Sequence, residues 1–237
     1  MDNNTTRRRF LQLAGISTLG AVAGLAGCAQ NRNNGTTPSS SSSPSTKPDD
    51  AADEANTTSP SQEAAGKGGS LVLVFSRADE NYGVGTVEVG NTMVLAQMIA
   101  EKTGADLFEI ERVTAYPTGY DDCCNEALEE QHEGARPELK AMPNIAGYDT
   151  IFFGFPCWWG DLPMPVYTAI EALDWNGKTI SPFNTHAGSG ESGMFSTVAS
   201  KCVGATVTDG LTMLGETAQN NRSEAESQVD SWLESLQ

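Results

Sequence analysis

Residues 71–92 read LVLVFSRADENYGVGTVEVGNT and lead directly into an amphipathic segment, 93–102. Leu71, Val72, Leu73, Val74 and Phe75 form an unbroken apolar run. It is short and lacks the polar alternation of a half-solvated strand, so it reads as a strand buried on both faces. In the segment that follows, Val94, Leu95, Met98 and Ile99 share one helical face, Gln97, Glu101 and Lys102 take the other, and Gly104 supplies a stop. A buried strand, a polar loop and a helix, in that order, aim backbone N–H groups and the positive end of a helix dipole at whatever occupies the loop. That is an anion site, most often for a phosphate.

The loop offers Ser76, Asn91 and Thr92 as short polar side chains, and Gly83, Gly85 and Gly90 for close backbone approach. Its only basic residue is Arg77. The spacings Gly-x-x-x-x-Gly-Lys-Ser/Thr and Gly-x-Gly-x-x-Gly are both absent. The same Ser76 and Asn91 also suit a purely structural role, satisfying backbone groups at a strand end and a helix start. The loop alone does not decide between the two.

Residues 1–28 read as an address. Thr6, Arg7, Arg8, Arg9, Phe10, Leu11 and Gln12 look like a twin-arginine export motif, and the Gly- and Ala-rich run to Gly27 is too weak and short for a convincing membrane span. Leu25-Ala26-Gly27-Cys28 resembles a bacterial lipobox, with Cys28 as the lipidated first residue of the mature chain. Residues 29–69 hold almost no large apolar residue and include a run of serines from Ser39 to Ser43, so they read as a disordered tether. Export by this route suits a protein that folds, and takes up a cofactor, in the cytoplasm. The expected location is the extracytoplasmic face of the membrane, with the membrane reached through the lipid anchor.

Residues 70–237 have the length of one domain. The chain carries 14 Lys and Arg against 31 Asp and Glu; without residues 1–27 there remain 11 and 30, a net −19. Such acidity argues against nucleic acid and anionic lipid as partners, and suits either a partner protein with a basic surface or solubility outside the cell alone. Apolar runs at 106–111, 150–155, 178–183 and within 206–214 read as further strands. They alternate with helices expected at 93–102, at 122–133, after Pro163 and Pro165, at 192–202, and from a capping box spanning Ser223 and Glu226. Alternation of this kind implies a parallel sheet covered on both faces, with ligands bound outside the carboxyl ends of its strands.

Two more loops at that edge stand out. After the third strand comes GFPCWWGDLP (154–163), with adjacent indoles where polar residues are the norm; after the fourth comes NTHAGSGESG (184–193). Three such loops would suit a flat heteroaromatic ring with a phosphate tail. With its Ser-Arg start to the first loop and its Pro-Cys-Trp-Trp-Gly third loop, the chain resembles the flavodoxin family over roughly residues 70–237. The resemblance implies a three-layer αβα sandwich, a five-stranded parallel sheet of order 2-1-3-4-5, and FMN as cofactor; that order is the known flavodoxin one. It places Ser76, Asn91 and Thr92 on the FMN phosphate. Pro156, Trp158, Trp159 and Gly160 fall beside the ring, and Thr185, His186, Gly188, Ser189 and Gly190 along its polar edge. Arg77 and Cys157 complete the candidate cofactor-binding set, and no metal ligands are expected. The insertion at 79–89 departs from the short phosphate loop of ordinary flavodoxins.

Of the five cysteines, Cys28 belongs to the lipobox; Cys123, Cys124, Cys157 and Cys202 fit neither zinc spacing nor a Cys-x-x-Cys pair. The expected function is electron transfer by an FMN protein to a redox partner. The alternative is an FMN-dependent NAD(P)H or quinone reductase.

Overall fold

A computed structural model describes residues 68–237. The expected export signal, Cys28 and the tether up to residue 67 lie outside the described residues. No helix among the described residues is long and apolar enough to cross a membrane.

Strand β1 (Gly69–Val74) lies inside the sheet, one strand in from its edge. It pairs in parallel with β4 (Asp106–Glu109) on one side and with the long β5 (Tyr148–Pro156) on the other. Beyond β5 lies β6 (Thr179–His186), which pairs with both β7 (Thr206–Val207) and β8 (Leu211–Leu214). The order β4-β1-β5-β6-β7/β8 is the expected 2-1-3-4-5. The fifth position is shared by two short strands, because the chain breaks pairing between them at Thr208-Asp209-Gly210. There Thr208 Oγ1 donates to Ser181 Oγ (3.0 Å), and the Trp232 indole donates to the Asp209 carbonyl (3.0 Å).

Alternation along β1 splits the core in two. Leu71, Leu73 and Phe75 join Ile151, Phe153 and Phe155 beneath α3 (Met164–Ala172) and α4 (Met194–Lys201). Val72 and Val74 join Phe152 and Phe183 beneath α1 (Asn91–Thr103) and α6 (Arg222–Ser235). Leu71 through Val74 are fully buried, each contributing about 1.5–3 kcal/mol by transfer from water. Layers of helix, sheet and helix follow from that two-sided burial. Gly154 in β5 is required by packing, since a Cβ there would lie 2.2 Å from the Phe183 ring.

Gly104 ends α1 in the left-handed conformation (φ 70°), as its position implies. The 79–89 insertion is a hairpin of β2 (Asp79–Asn81) and β3 (Gly85–Val87). α2 (Tyr120–Glu133) follows β4, and a short α5 (Gly215–Asn220), not foreseen in the sequence, follows β8. The capping box of α6 stands two residues earlier than expected: Asn221 is the N-cap, its oxygen accepting from the Glu224 N–H (3.4 Å) and its amide donating to Glu224 Oε2 (2.7 Å). Ser223 falls inside the first turn, and Glu226 pairs with Arg222 (2.7 Å).

Candidate functional site

At the carboxyl edge of the sheet the loops after β1, β5 and β6 enclose a cavity of about 620 Å³. That is the size of an ordinary small-molecule site. Its floor is the N-terminus of α1. Ser76 Oγ accepts from the Met93 N–H (3.0 Å) and the Gly90 carbonyl from Val94 (3.1 Å). Among the described residues no acceptor meets the N–H groups of Asn91 and Thr92. The Asn91 side chain lines the cavity, and its Oδ1 is buried without a partner among the described residues. Gly90 permits the close approach, since a Cβ there would lie 2.3 Å from the Arg77 carbonyl and 2.4 Å from Ser76 Oγ. Thr92 is buried and shares a hydrogen bond with Thr185 across to β6 (2.7 Å). Gly83 and Gly85, with φ 76° and 74°, serve the hairpin turn and not the cradle.

Arg77 reaches the cavity wall but spends its terminal nitrogens on backbone. It donates to the carbonyls of Glu80 (2.6 Å), Pro117 (2.6 Å) and Thr118 (2.7 Å). Among the described residues it is the only Lys or Arg on that wall, while Asp121 and Glu216 add negative charge.

The two indoles of the loop after β5 have separate roles. Trp158 packs edge-on against Phe75 (5.4 Å) and Tyr116 (5.0 Å), attached to the core. Reciprocal backbone bonds between Trp158 and Asp161 (3.0 Å each) close a two-residue turn in which Trp159 (φ 51°) and Gly160 (φ 76°) both lie in the left-handed region. These are the dihedral signs of a type I′ turn, which normally carries Asn-Gly. Trp159 instead accepts a conformation costly for a bulky residue. The turn leaves it 53% exposed at the cavity, its indole N–H donating to the Cys124 carbonyl (2.9 Å). Backbone strain of this kind concentrates at functional sites.

Trp158 is itself held in place. Arg112 lies 3.8 Å over the Tyr116 ring, and pairs with Glu126 (2.7 Å) and Glu130 (3.2 Å) of α2; the Tyr116 hydroxyl donates to Glu130. Burial first, then Glu130, push the Tyr116 phenol above its ordinary range, so it stays a donor.

At the carboxyl end of β6, Thr185 and His186 face the cavity. His186 Nδ1 accepts from the Gly188 N–H (2.9 Å), which leaves the proton of the neutral ring on Nε2. Burial holds its pKa below the usual histidine value, favouring that neutral form. Cys157 lines the cavity with its thiol between two hydroxyls: Ser189 donates to it (3.2 Å), and it donates to Ser192 (3.7 Å).

Thus the cavity wall brings together Arg77, Asn91, Pro156, Cys157, Trp158 and Trp159, with Thr185 and His186. Ser76, Thr92, Gly160, Gly188, Ser189 and Gly190 stand off that wall, supporting the loops. Gly83, read in the sequence as a close-approach glycine, lines the outer wall; sequence reasoning missed the rest of it, Asn81 and Tyr82 of the hairpin and Tyr120, Cys123 and Cys124 of α2. The Tyr82 and Tyr120 rings meet at 6.0 Å, and burial, followed by the Cys124 thiol, pushes the Tyr120 phenol up to about 12. That contact spans 38 positions between a loop insertion and a helix, and nothing local in the sequence announces it. Among the described residues no group of three His, Cys, Asp or Glu is placed to hold a metal ion.

No curated protein matches the chain. Among solved structures, a candidate flavoprotein from Bacteroides eggerthii is 24% identical with a TM-score of 0.56, over 70% of this chain and 96% of that one. Another from Bacteroides uniformis is 26% identical with a TM-score of 0.56, over 69% of this chain and 99% of that one. A flavoprotein in complex with FMN from Lactobacillus acidophilus is 19% identical with a TM-score of 0.52, over 70% and 99%. A flavodoxin family model matches residues 86–236, most of the domain whose sheet order and carboxyl-edge cavity are described above, and the chain belongs to the flavodoxin family.

Proposed function

We propose that this protein is an FMN-binding electron carrier, exported by the twin-arginine route and tethered through Cys28 to the extracytoplasmic face of the membrane. The family and the FMN-bound Lactobacillus relative support FMN as the cofactor. The observation that carries the reading is the cradle at α1: N–H groups of Asn91 and Thr92 that meet no acceptor among the described residues, and a Gly90 that leaves room for nothing but backbone. Those features fit a phosphate held by amides and a helix dipole without a cation.

When bound, FMN supplies one- and two-electron chemistry. The chain's own residues bind and orient it. Asn91 and the first N–H groups of α1 would hold the phosphate, Trp159 would offer a ring face, and His186 Nε2–H would donate to the ring's polar edge. The acidic wall residues Asp121 and Glu216 would disfavour added negative charge and so lower the reduction potential.

The redox partner, on this reading, is a protein with a basic surface, steered by the mature net charge of −19. Stopped-flow electron transfer from the photoreduced protein to a basic haem protein tests this. Carrier function predicts a rate that falls steeply with ionic strength and negligible steady oxidation of NAD(P)H. Rapid turnover with NAD(P)H or a quinone, with salt-independent transfer to the haem protein, would replace the carrier with a reductase. Metabolic labelling with a fatty acid, lost in Cys28→Ser, tests the anchor.

A further inference from the structure

The hairpin inserted into the first loop is fastened at its base. Arg77 gathers three carbonyls from two segments, Glu80 of the hairpin and Pro117 and Thr118 of the turn before α2, at 2.6, 2.6 and 2.7 Å. Beside it, the Glu80 N–H donates to the Thr118 carbonyl (3.2 Å). α2 has no side-chain cap of its own, because Gly119 stands at its N-cap. Glu80 supplies one from 40 residues away, Oε2 accepting from the Tyr120 N–H (2.9 Å). Asn81 closes the base from inside, its amide donating to the carbonyls of Arg77, Ala78 and Asp79 (3.2 Å each). Above this joint stand Tyr82 and Tyr120, the cavity's outer wall.

Both terminal nitrogens of the guanidinium are committed to carbonyls, so turning that fork toward an anion would strand them; the buried Nε–H is left without a partner among the described residues. We propose that Arg77 and Glu80 are positioning residues: they clamp the hairpin to α2 and so fix the aromatic outer wall over the cofactor, and Arg77 does not neutralise the phosphate. The proposal rests on the FMN reading above.

Riboflavin, which has the same ring and no phosphate, separates the two roles. The clamp predicts that Arg77→Gln weakens FMN and riboflavin by the same factor, on the order of tenfold. It predicts that Arg77→Lys, which keeps the charge but loses the planar fork, does likewise. Glu80→Gln should weaken both ligands by a smaller common factor. A phosphate role for Arg77 predicts instead a loss confined to FMN, rescue by Arg77→Lys, and unchanged or tighter FMN binding in Glu80→Gln; that pattern would overturn the proposal.

Amide exchange at Tyr120 in the cofactor-free full-length protein reads the joint without any ligand. It should quicken in Arg77→Gln and Arg77→Lys while the β1 and β5 amides stay protected. Unchanged exchange at Tyr120 would overturn the clamp, whereas wild-type protein that binds neither flavin would overturn the cofactor reading and leave this result to stand by itself.

Discussion

Substituting Gly90 by alanine tests the cradle where it is tightest. The backbone there has φ −64° and ψ 152°, open to any residue, so the change adds no dihedral strain. The whole effect comes from the new methyl, which would lie 2.3 Å from the Arg77 carbonyl oxygen, 2.4 Å from Ser76 Oγ and 2.6 Å from the Arg77 carbonyl carbon. Two of those atoms are backbone and cannot rotate away, so the loop must open. Overpacking of this kind costs about 1–3 kcal/mol. Withdrawal of Ser76 from the Met93 N–H removes a helix cap, which costs about another 1 kcal/mol. Together these amount to about 2–4 kcal/mol, or a fall in Tm of about 5–15 °C for a domain of this size. The part felt at the floor of the site should weaken FMN about tenfold to a hundredfold.

Gly177→Ala is the control. It meets no atom within 4 Å but has φ 72° in a loop away from the cavity, so it should cost about 1–2 kcal/mol of stability and leave FMN affinity unchanged. Thermal melts with circular dichroism and titrations followed by flavin fluorescence measure both quantities. A Gly90→Ala protein that melts and binds FMN like wild type would refute the reasoning.

The indoles separate in a second experiment. Trp158→Ala should cost about 3–5 kcal/mol because it empties a site packed on Phe75 and Tyr116, whereas Trp159→Gly should gain about 1 kcal/mol by relieving φ 51° yet bind FMN more weakly; melts and flavin titrations report each. His186 has a folded-state pKa below its ordinary value, so the unfolded chain binds more protons between the two. Its contribution is present above about pH 6.5 and lost as pH falls through that value toward the folded pKa, and the difference in Tm between pH 8 and pH 5 should shrink in His186→Gln. Cys202 is buried with its thiol pushed up to about 12, and Cys123 with its thiol pushed up to about 11. Both should react slowly with a thiol reagent, while Cys124 and Cys157, half-buried on the cavity wall, should react first and be protected by FMN.

The strand order and the placement of the ligand edge were legible because two-sided burial leaves a plain mark: LVLVF admits no solvent face, and Val72 and Val74 do separate from Leu71 and Leu73 into two cores. Helix ends were less legible. Asn221 and Ser223 both head a plausible cap two residues apart, and the choice depends on how α5 delivers the chain. The division of labour between Trp158 and Trp159 was hidden, since it follows from the sign of φ at one residue, and Trp-Gly does not advertise a type I′ turn. The grouping of Gly83 and Gly85 with Gly90 went astray for the same reason: composition alone does not tell a turn glycine from a close-approach glycine. The outer wall was illegible because its contacts join residues about 40 apart through backbone carbonyls, which every residue carries.

The central claim is that amides and a helix end, without a cation, hold a phosphate-tailed flavin in the cavity at the sheet's carboxyl edge. Isothermal titration of the cofactor-free full-length protein with FMN, run beside riboflavin, tests it most directly. One site per chain, with FMN bound well over tenfold more tightly than riboflavin, is the predicted result; no heat with either flavin, or equal affinity for both, would contradict it.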